Sequence, residues 1–189
     1  MLCRDEASRA ALLAAGASEV VVADALDRAA AAAAVAAASP ALILSAVGTS
    51  PPEPNCSDAD AAGTSSLVAA AVAHAPAARF VLVSALGVGE SLDCLPHASH
   101  EVLRGWLERK EIAEHTLQGS GLEWVVLRPG PLTDTPRSGS AVATLDAVAG
   151  KAFSTLGRAD LAHIAYQVRL PISVSSSMYA NDQRALTLT

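Results

Sequence analysis

The stretch "LEWVVLRPGPLTD", residues 122–134, decides the fold class of this chain. It is an apolar run that ends at Arg128 and then bends through Pro129, Gly130 and Pro131. A strand that is apolar on both faces is typical of a parallel sheet covered by helices on both sides. Since ligands bind at the carboxyl ends of the strands in such sheets, the corner after Arg128 is a candidate wall of a site.

Apolar runs alternate with alanine-rich helical stretches along the rest of the chain. The predicted strands cover 19–23, 41–47, 79–85, 123–128 and 185–189, and the predicted helices cover 5–16, 25–38, 58–75, 98–118 and 159–169. Strands separated by single helices form right-handed βαβ units, which predicts the α/β class with a parallel sheet. We expect the first four runs to be neighbours or near neighbours with helices on both faces, in one domain that spans residues 1–189.

The composition argues against two classes of partner. A net charge of -6 leaves no basic field for nucleic acid or for an anionic membrane surface. The charge-free run 29–52 is mostly alanine and is cut by prolines and a glycine, so it predicts helix, strand and loop, not a membrane span. We expect no nucleic-acid partner and no membrane span.

The cysteines bear on the compartment. Cys3, Cys56 and Cys94 are odd in number and scattered, which indicates free thiols in a reducing compartment. Charged residues follow Met1 within a few positions, so no secretory signal is predicted.

Five segments resemble, in their order, the atypical short-chain dehydrogenase/reductases of the NAD(P)-binding, NmrA-like branch. They are "VVVADALD" (20–27), "LILSAVG" (42–48), "RFVLVSALGVG" (79–89), "KEIAEHTLQGSGLEWVVLRPGPLTD" (110–134) and "GRADLAHI" (157–164). The resemblance implies a Rossmann-like, doubly wound parallel sheet that binds NADP or NAD. It also implies a soluble protein of the cytoplasm or the plastid stroma, between which the chain does not distinguish.

Ten residues are candidates for binding the dinucleotide, and two of them also occupy the family's catalytic positions. The binding candidates are Arg4, Asp24, Ala25, Ala46, Val47, Gly48, Ser84, Lys110, Pro129 and Gly130, and the catalytic candidates are Ser84 and Lys110.

Three candidates belong to the adenosine end of the dinucleotide, and two of them, Arg4 and Asp24, have an ordinary alternative. The resemblance places Arg4 beside the ribose, where it suits the 2′-phosphate of NADP, but a solvated arginine fits equally well. Asp24 and Ala25 follow the run 19–23, where the family lays the adenine ring. Asp24 is also a good helix N-cap, and the two interpretations stay open.

The remaining candidates belong to the nicotinamide end. The small residues 45–48 would let a ribose approach the backbone closely, or they simply lead out of the strand. Ser84 matches the family's active-site serine or threonine, or it caps a turn. The Pro129-Gly130 corner borders the nicotinamide in the resemblance, whereas by itself the pair indicates only a turn.

The glycine-rich turn that holds the pyrophosphate in this family would precede Arg4. The sequence as given begins at Met1, so we expect a fold without the first βα unit, and weak or absent dinucleotide binding. The expected consequence for the sheet is either a gap or an unpaired edge, and such an edge would be open to a protein partner. "GVGE" (87–90) lies too late in the chain and lacks the third glycine of the fingerprint.

The family's proton donor is also replaced. Short-chain dehydrogenases pair a tyrosine with a lysine four residues later; Lys110 matches the lysine, but Trp106 stands where the tyrosine belongs. Carbonyl reduction by the usual mechanism is therefore not expected, whereas hydride transfer to a flavin or quinone would not require the tyrosine. Trp106 either faces the cleft beside Lys110 or is a core anchor.

The spacing Cys94-x2-His97-x2-His100 is the one pattern with metal-ligand character. Three ligands in a loop stiffened by a proline do not close a structural site, and we predict no metal.

Two functions remain. The first is an NAD(P)(H)-binding protein, and possible oxidoreductase, that acts without the tyrosine. The second is a non-catalytic scaffold, assembly factor or accessory subunit of an organelle electron-transfer complex that kept the fold and lost the cofactor.

Overall fold

The computed structural model describes residues 1–49, 58–144, 153–168 and 184–188. The strands are β1 Leu2–Cys3, β2 Val21–Val22, β3 Leu42–Ser45, β4 Arg79–Val83, β5 Glu123–Pro129, β6 Leu132–Thr133, β7 Ala143–Thr144, β8 Leu156–Gly157 and β9 Arg184–Leu188. The helices are α1 Glu6–Ala14, α2 Arg28–Ala38, α3 Thr64–His74, α4 His97–Gln118 and α5 Arg158–Gln167. A π-helical turn, Ala59–Gly63, leads into α3, and a 3-10 turn, Gly89–Cys94, precedes α4.

The main sheet has the strand order β3-β4-β5-β9-β7. The first four strands are parallel, with Ile43 opposite Phe80 and Phe80 opposite Trp124, and β7 adds one antiparallel edge. The α/β class and the parallel sheet predicted from the sequence are confirmed, and the architecture is Rossmann-like.

The run 19–23 departs from the prediction. We expected it to lie in the same sheet as the three later runs, but β2 pairs in parallel with β1 in a separate two-stranded sheet. The sequence did not indicate β1, because a strand of two residues shows no periodicity. In the part of the chain that the structure describes, β3 hydrogen-bonds only to β4, so each sheet has an edge without a neighbour.

Alternate residues of the central strands pack on opposite layers of helices, as period-two side chains must. On one face, Phe80 and Trp124 belong to a core with residues of α2, α3 and α4. On the other face, Val81 and Val125 pack with Leu161 of α5. The expected helices on both faces are therefore present.

Aspartates begin the first two helices. Asp5 accepts from Ser8 N at 2.7 Å at the start of α1, and Asp27 accepts from Ala29 N and Ala30 N at the start of α2. The interpretation of Asp24 as the helix cap is therefore wrong: its carboxylate accepts from Leu26 N at 2.9 Å in the turn that precedes the helix.

No helix within the described ranges has both the length and the apolar character that a bilayer crossing requires. Cys3 and Cys94 are free thiols, and Cys56 lies outside the described residues. Burial raises the pKa of the Cys94 thiol.

Candidate functional site

The carboxyl ends of β3 and β4 carry the candidate site. Because the two strands pair in register, the segment after Ser45 and the segment after Val83 leave the sheet at the same edge. Ser84 is held there by its amide, which donates to Leu127 O at 2.7 Å. These segments, together with α4 and the turn before α3, enclose a small recess lined by Val47, Asp60, Thr64, Leu82, Val83, Ser84, Lys110 and Ala113.

Lys110 enters the recess from α4 and meets Asp60. Its ammonium nitrogen lies 2.8 Å from Asp60 Oδ1, and both side chains are buried. The contact is an ion pair whose angles fall short of a hydrogen bond. Gly48 makes room for it, since a Cβ there would lie 2.4 Å from Asp60 Oδ1 and 3.3 Å from Lys110 Nζ.

Trp106 lies at the rim of this ion pair. Its indole N–H donates to Thr49 O at 2.9 Å, and Lys110 Nζ lies 5.0 Å from the ring centroid, within cation–π range. The ring also packs against the buried cluster that contains Leu107. Trp106 therefore packs on the core and contacts the ion pair at once, although it is not among the residues that line the recess.

Asp60 also binds the segment that follows Gly48. Its Oδ2 accepts from Thr49 N at 3.0 Å and from Thr49 Oγ1 at 2.9 Å. The carboxylate thus ties the end of β3 to the turn before α3, and Trp106 ties the same residue to α4.

A second buried network lies behind the recess. Ser84 Oγ donates to Glu114 Oε1 in a short hydrogen bond. Arg128 donates to both oxygens of Glu114, from Nε at 3.1 Å and from Nη2 at 2.7 Å, and from Nη1 to the exposed Glu90 at 2.6 Å. Burial lowers the pKa of Arg128, but the hydrogen bonds and charges of Glu114 and Glu90 outweigh it and leave the pKa raised.

Sequence reasoning missed Asp60, Glu114 and Arg128 as parts of the site. Glu114 follows Lys110 by four residues, so the two lie on one face of α4, and Arg128 directly precedes the Pro129-Gly130 corner. The signal was available, because a charged residue at the end of an otherwise apolar strand requires a buried partner. For Asp60 the sequence offered no comparable signal.

The Pro129-Gly130 corner is built into the core. Pro129 O accepts from Leu86 N at 2.8 Å, and Gly130 N donates to Leu188 O at 3.3 Å. A Cβ on Gly130 would lie 2.1 Å from Ser154 O, so the glycine is required by the chain's own backbone. Neither residue lines the recess.

The adenosine-end candidates lie on the other sheet. Arg4 follows β1 and Asp24 follows β2, and both are exposed. Ala25 is buried in the core with residues of α2 and α3. Ala46, Val47 and Gly48 follow β3, and of these Val47 lines the recess.

The groups at the recess have hydrogen-bonding character that suits the hydroxyls of a ribose. Thr64 Oγ1 is fully buried at the recess with no hydrogen-bond partner, and Gly48 and Lys110 bring a bare backbone and an ammonium group to the same place. The helices that follow β1 and β2 do not fit a pyrophosphate. Their first amides are already bonded to the carboxylates of Asp5 and Asp27, which would repel an anion.

Cys94, His97 and His100 do not come together as metal ligands. Over the described ranges, no three such side chains are close enough to hold an ion. The rings of His97 and His100 instead contact each other in a tilted arrangement with centroids 4.9 Å apart, and His100 Nε2 lies 3.2 Å from Leu95 O.

Known proteins share this fold. The structure of ChuY, an anaerobillin reductase from Escherichia coli O157:H7, superposes with a TM-score of 0.75 at 26% identity and covers 98% of this chain and 82% of that chain. A putative NAD-dependent epimerase/dehydratase from Bacillus halodurans has a TM-score of 0.74 at 21% identity, over 99% of this chain and 79% of that chain. A wide-type short-chain dehydrogenase/reductase from Veillonella parvula in complex with NADP has a TM-score of 0.67 at 14% identity, over 99% of this chain and 80% of that chain.

Among curated proteins, none matches the chain. The profile of one family does, the NAD(P)H-binding family, over residues 1–169. Since that match spans most of the chain, the protein belongs to the NAD(P)H-binding family.

Proposed function

We propose that the protein is an NAD(P)H-dependent oxidoreductase of the atypical short-chain dehydrogenase/reductase type that reduces a conjugated acceptor. The observation that supports this most is the recess at the ends of β3 and β4, where Lys110, Ser84 and the unpartnered hydroxyl of Thr64 converge. When bound, the reduced nicotinamide supplies a hydride.

We assign to Lys110 the role of donating hydrogen bonds to the ribose hydroxyls. An ammonium group has three donors, and the ion pair with Asp60 engages one side of it. Asp60 offsets the cost of burying this charge and fixes its position, and the ring of Trp106 limits its movement on the other side.

Among the described residues that line the recess there is no tyrosine or histidine to act as the general acid, and Lys110 is paired with Asp60. The indole N–H of Trp106 is bonded to Thr49 O, and the hydroxyl proton of Ser84 is directed at Glu114. A conjugated acceptor suits such a site, because it takes the hydride at carbon or nitrogen and its proton from water. The 26% identity to a reductase that its name assigns to anaerobillin adds weight to this class of substrate.

The test is NADPH or NADH oxidation at millimolar dinucleotide, with biliverdin, flavin mononucleotide and menadione as acceptors. We expect turnover with one of them and none with simple aldehydes or ketones. Turnover of simple carbonyls but not of conjugated acceptors would contradict the proposal, as would inactivity with every acceptor.

A double variant tests the role of Lys110. Lys110→Met combined with Asp60→Asn removes both buried charges together, which avoids the large cost of leaving one unpaired. We expect the KM for the dinucleotide to rise at least about tenfold, as for the loss of a hydrogen bond to a charged group. Arg104→Met is the matched control, because Arg104 lies exposed on the same helix and pairs only with Glu101.

The second candidate, a non-catalytic scaffold or assembly subunit of an electron-transfer complex, is favoured by one feature. Two strands, β2 and β3, carry exposed apolar side chains at Val21, Val22 and Leu44, beside strand edges without neighbours in the described structure. This candidate predicts no dinucleotide binding at millimolar concentration together with stable association with another protein, which titration and size-exclusion chromatography with light scattering would detect.

A further inference from the structure

The hydroxyl group of Ser84 has a defined orientation at the recess. A hydroxyl has one proton and two lone pairs, and the proton of Ser84 is donated to Glu114 Oε1. The same side chain lines the recess. With its proton committed, Ser84 Oγ offers only lone pairs to a molecule bound there.

Glu114 cannot reverse this orientation. Its two oxygens accept from Arg128 Nε and Nη2, and a guanidinium always carries its protons. Glu114 is 1% exposed and Arg128 is 4% exposed, so the pair is shielded from water that could compete for these hydrogen bonds. Both oxygens of Glu114 are therefore held as acceptors, and the hydrogen bond with Ser84 runs from the hydroxyl to the carboxylate.

We propose that Glu114 is a positioning residue that makes Ser84 a hydrogen-bond acceptor for an N–H group of the molecule bound in the recess. The inference rests on the proposed function, since it presumes that a dinucleotide binds. Such an N–H group is present on the carboxamide of the nicotinamide, and also on an acceptor such as a linear tetrapyrrole. A serine that instead donated to a carbonyl oxygen would need its proton on the recess side.

The first arm of the test compares two dinucleotides. NADP⁺ carries a carboxamide, and its 3-acetylpyridine analogue keeps the carbonyl but has no N–H. We expect the wild type to bind NADP⁺ about fivefold more tightly than the analogue in calorimetric titration, as for one net hydrogen bond. The preference should vanish in Ser84→Ala, and also in Glu114→Gln, which has one acceptor oxygen in place of two.

The second arm distinguishes the other source of the N–H group. If the wild type binds the two dinucleotides equally, biliverdin is titrated in the presence of NADP⁺. An approximately fivefold loss of biliverdin affinity in Ser84→Ala and Glu114→Gln would then assign the N–H donor to the acceptor.

The outcomes separate the two proposals. Failure of the wild type to bind either dinucleotide would overturn the proposed function, and this inference with it. If the dinucleotide binds, but the wild type shows no preference for NADP⁺ and the variants keep the biliverdin affinity of the wild type, the inference alone is overturned. If Glu114→Gln does not fold, Ser84→Ala still decides whether Ser84 accepts the N–H group, because it removes a single hydroxyl, and an unchanged preference in Ser84→Ala would overturn the inference.

Glu90→Gln is the matched control. It alters the exposed carboxylate on the far side of Arg128 and leaves the contacts of Glu114 and Ser84 in place. We expect its ratio of dinucleotide affinities to equal that of the wild type. A ratio of affinities is also insensitive to a general loss of folded protein, which a purely structural role of Glu114 would produce.

Discussion

At the scale of single residues, the buried charges of this protein occur in pairs. Lys110 meets Asp60, and Arg128 meets Glu114, with all four side chains at most a tenth exposed. An isolated buried charge is costly, whereas a paired and hydrogen-bonded one is tolerated. Both pairs include a residue of α4. Removal of one partner alone would leave a buried charge unpaired and lower the stability, so such a variant would measure stability before it measured function.

Gly130 should not tolerate a side chain. Gly130→Ala would place its Cβ 2.1 Å from Ser154 O, a backbone atom that cannot rotate away. We expect a loss of about 1–3 kcal/mol in the free energy of unfolding, the usual cost of overpacking, measured by urea denaturation.

The control for Gly130 is Gly105→Ala in α4. A Cβ there would meet only the flexible end of Arg109, at 3.6 Å. Alanine is favoured over glycine in a helix interior by about 0.5–1 kcal/mol, so this variant should be more stable than the wild type. Equal stability changes in the two variants would contradict the steric account of Gly130.

Asp160 should contribute a pH-dependent part of the stability. Its carboxylate accepts from the amides of Ser138 and Gly139 and from Ser138 Oγ, and the two amides lead in lowering its pKa below 3.8. A pKa that is lower in the folded state stabilises that state above the unfolded pKa, and the gain is lost as the pH falls through the folded pKa. The stability difference between the wild type and Asp160→Asn should therefore be full above about pH 4 and shrink below it.

Unfolding curves from pH 7 to pH 2 measure this difference. Asp134→Asn is the control, because Asp134 is exposed and makes a surface ion pair with Arg158 at 2.8 Å. If the stability difference for Asp160→Asn did not depend on pH, the charge of the carboxylate would make no contribution to stability.

At the scale of elements, the unit formed by β1, α1 and β2 is the least buried of those described. None of the residues of α1 is buried, and neither strand has a buried residue. By contrast, β4 and β5 are buried at nearly every position. Since local opening costs little where few apolar contacts are lost, this unit should open independently of the core.

Hydrogen exchange followed by mass spectrometry tests the difference between elements. Amides of residues 6–23 should exchange well before those of 79–83 and 123–129, at a rate set by local opening. Uniform protection across these segments would mean that the small sheet opens only with the whole fold.

At the scale of the whole molecule, the candidate residues are divided between two of the three sheets, the small sheet of β1 and β2 and the main sheet. Arg4 and Asp24 lie at the ends of the small sheet, whereas Lys110 and Ser84 lie at the recess of the main sheet. Only the second group converges, through two networks of buried side chains. A dinucleotide would therefore gain most of its hydrogen bonds at the nicotinamide end.

The affinity for NADPH should be weak for this reason. The helices after β1 and β2 begin with the carboxylates of Asp5 and Asp27 in place of free amides. We expect a Kd above about 1 μM, that is, less than about 8 kcal/mol of binding free energy, in a fluorescence titration. Submicromolar binding would show that other backbone amides hold the pyrophosphate.

The sequence by itself determined the fold class and most of the elements. The strands are recognisable as apolar runs, because burial on both faces of a parallel sheet requires apolar side chains at successive positions. Most of the helices are recognisable as the alanine-rich stretches between these runs. The family resemblance further singled out Ser84 and Lys110, which meet at one recess.

Only the tertiary structure decided the rest. The separation of β1 and β2 from the main sheet depends on which strand edges meet, and β1 is too short to show a pattern. The partners of the site residues were equally out of reach, since Asp60 lies 50 residues from Lys110 and Arg128 pairs with a glutamate of another element. Such pairs form because each buried charge needs an opposite charge beside it. In the sequence the buried aspartates and glutamates look like those of the surface, and only the folded chain decides which of them lies next to a given lysine or arginine.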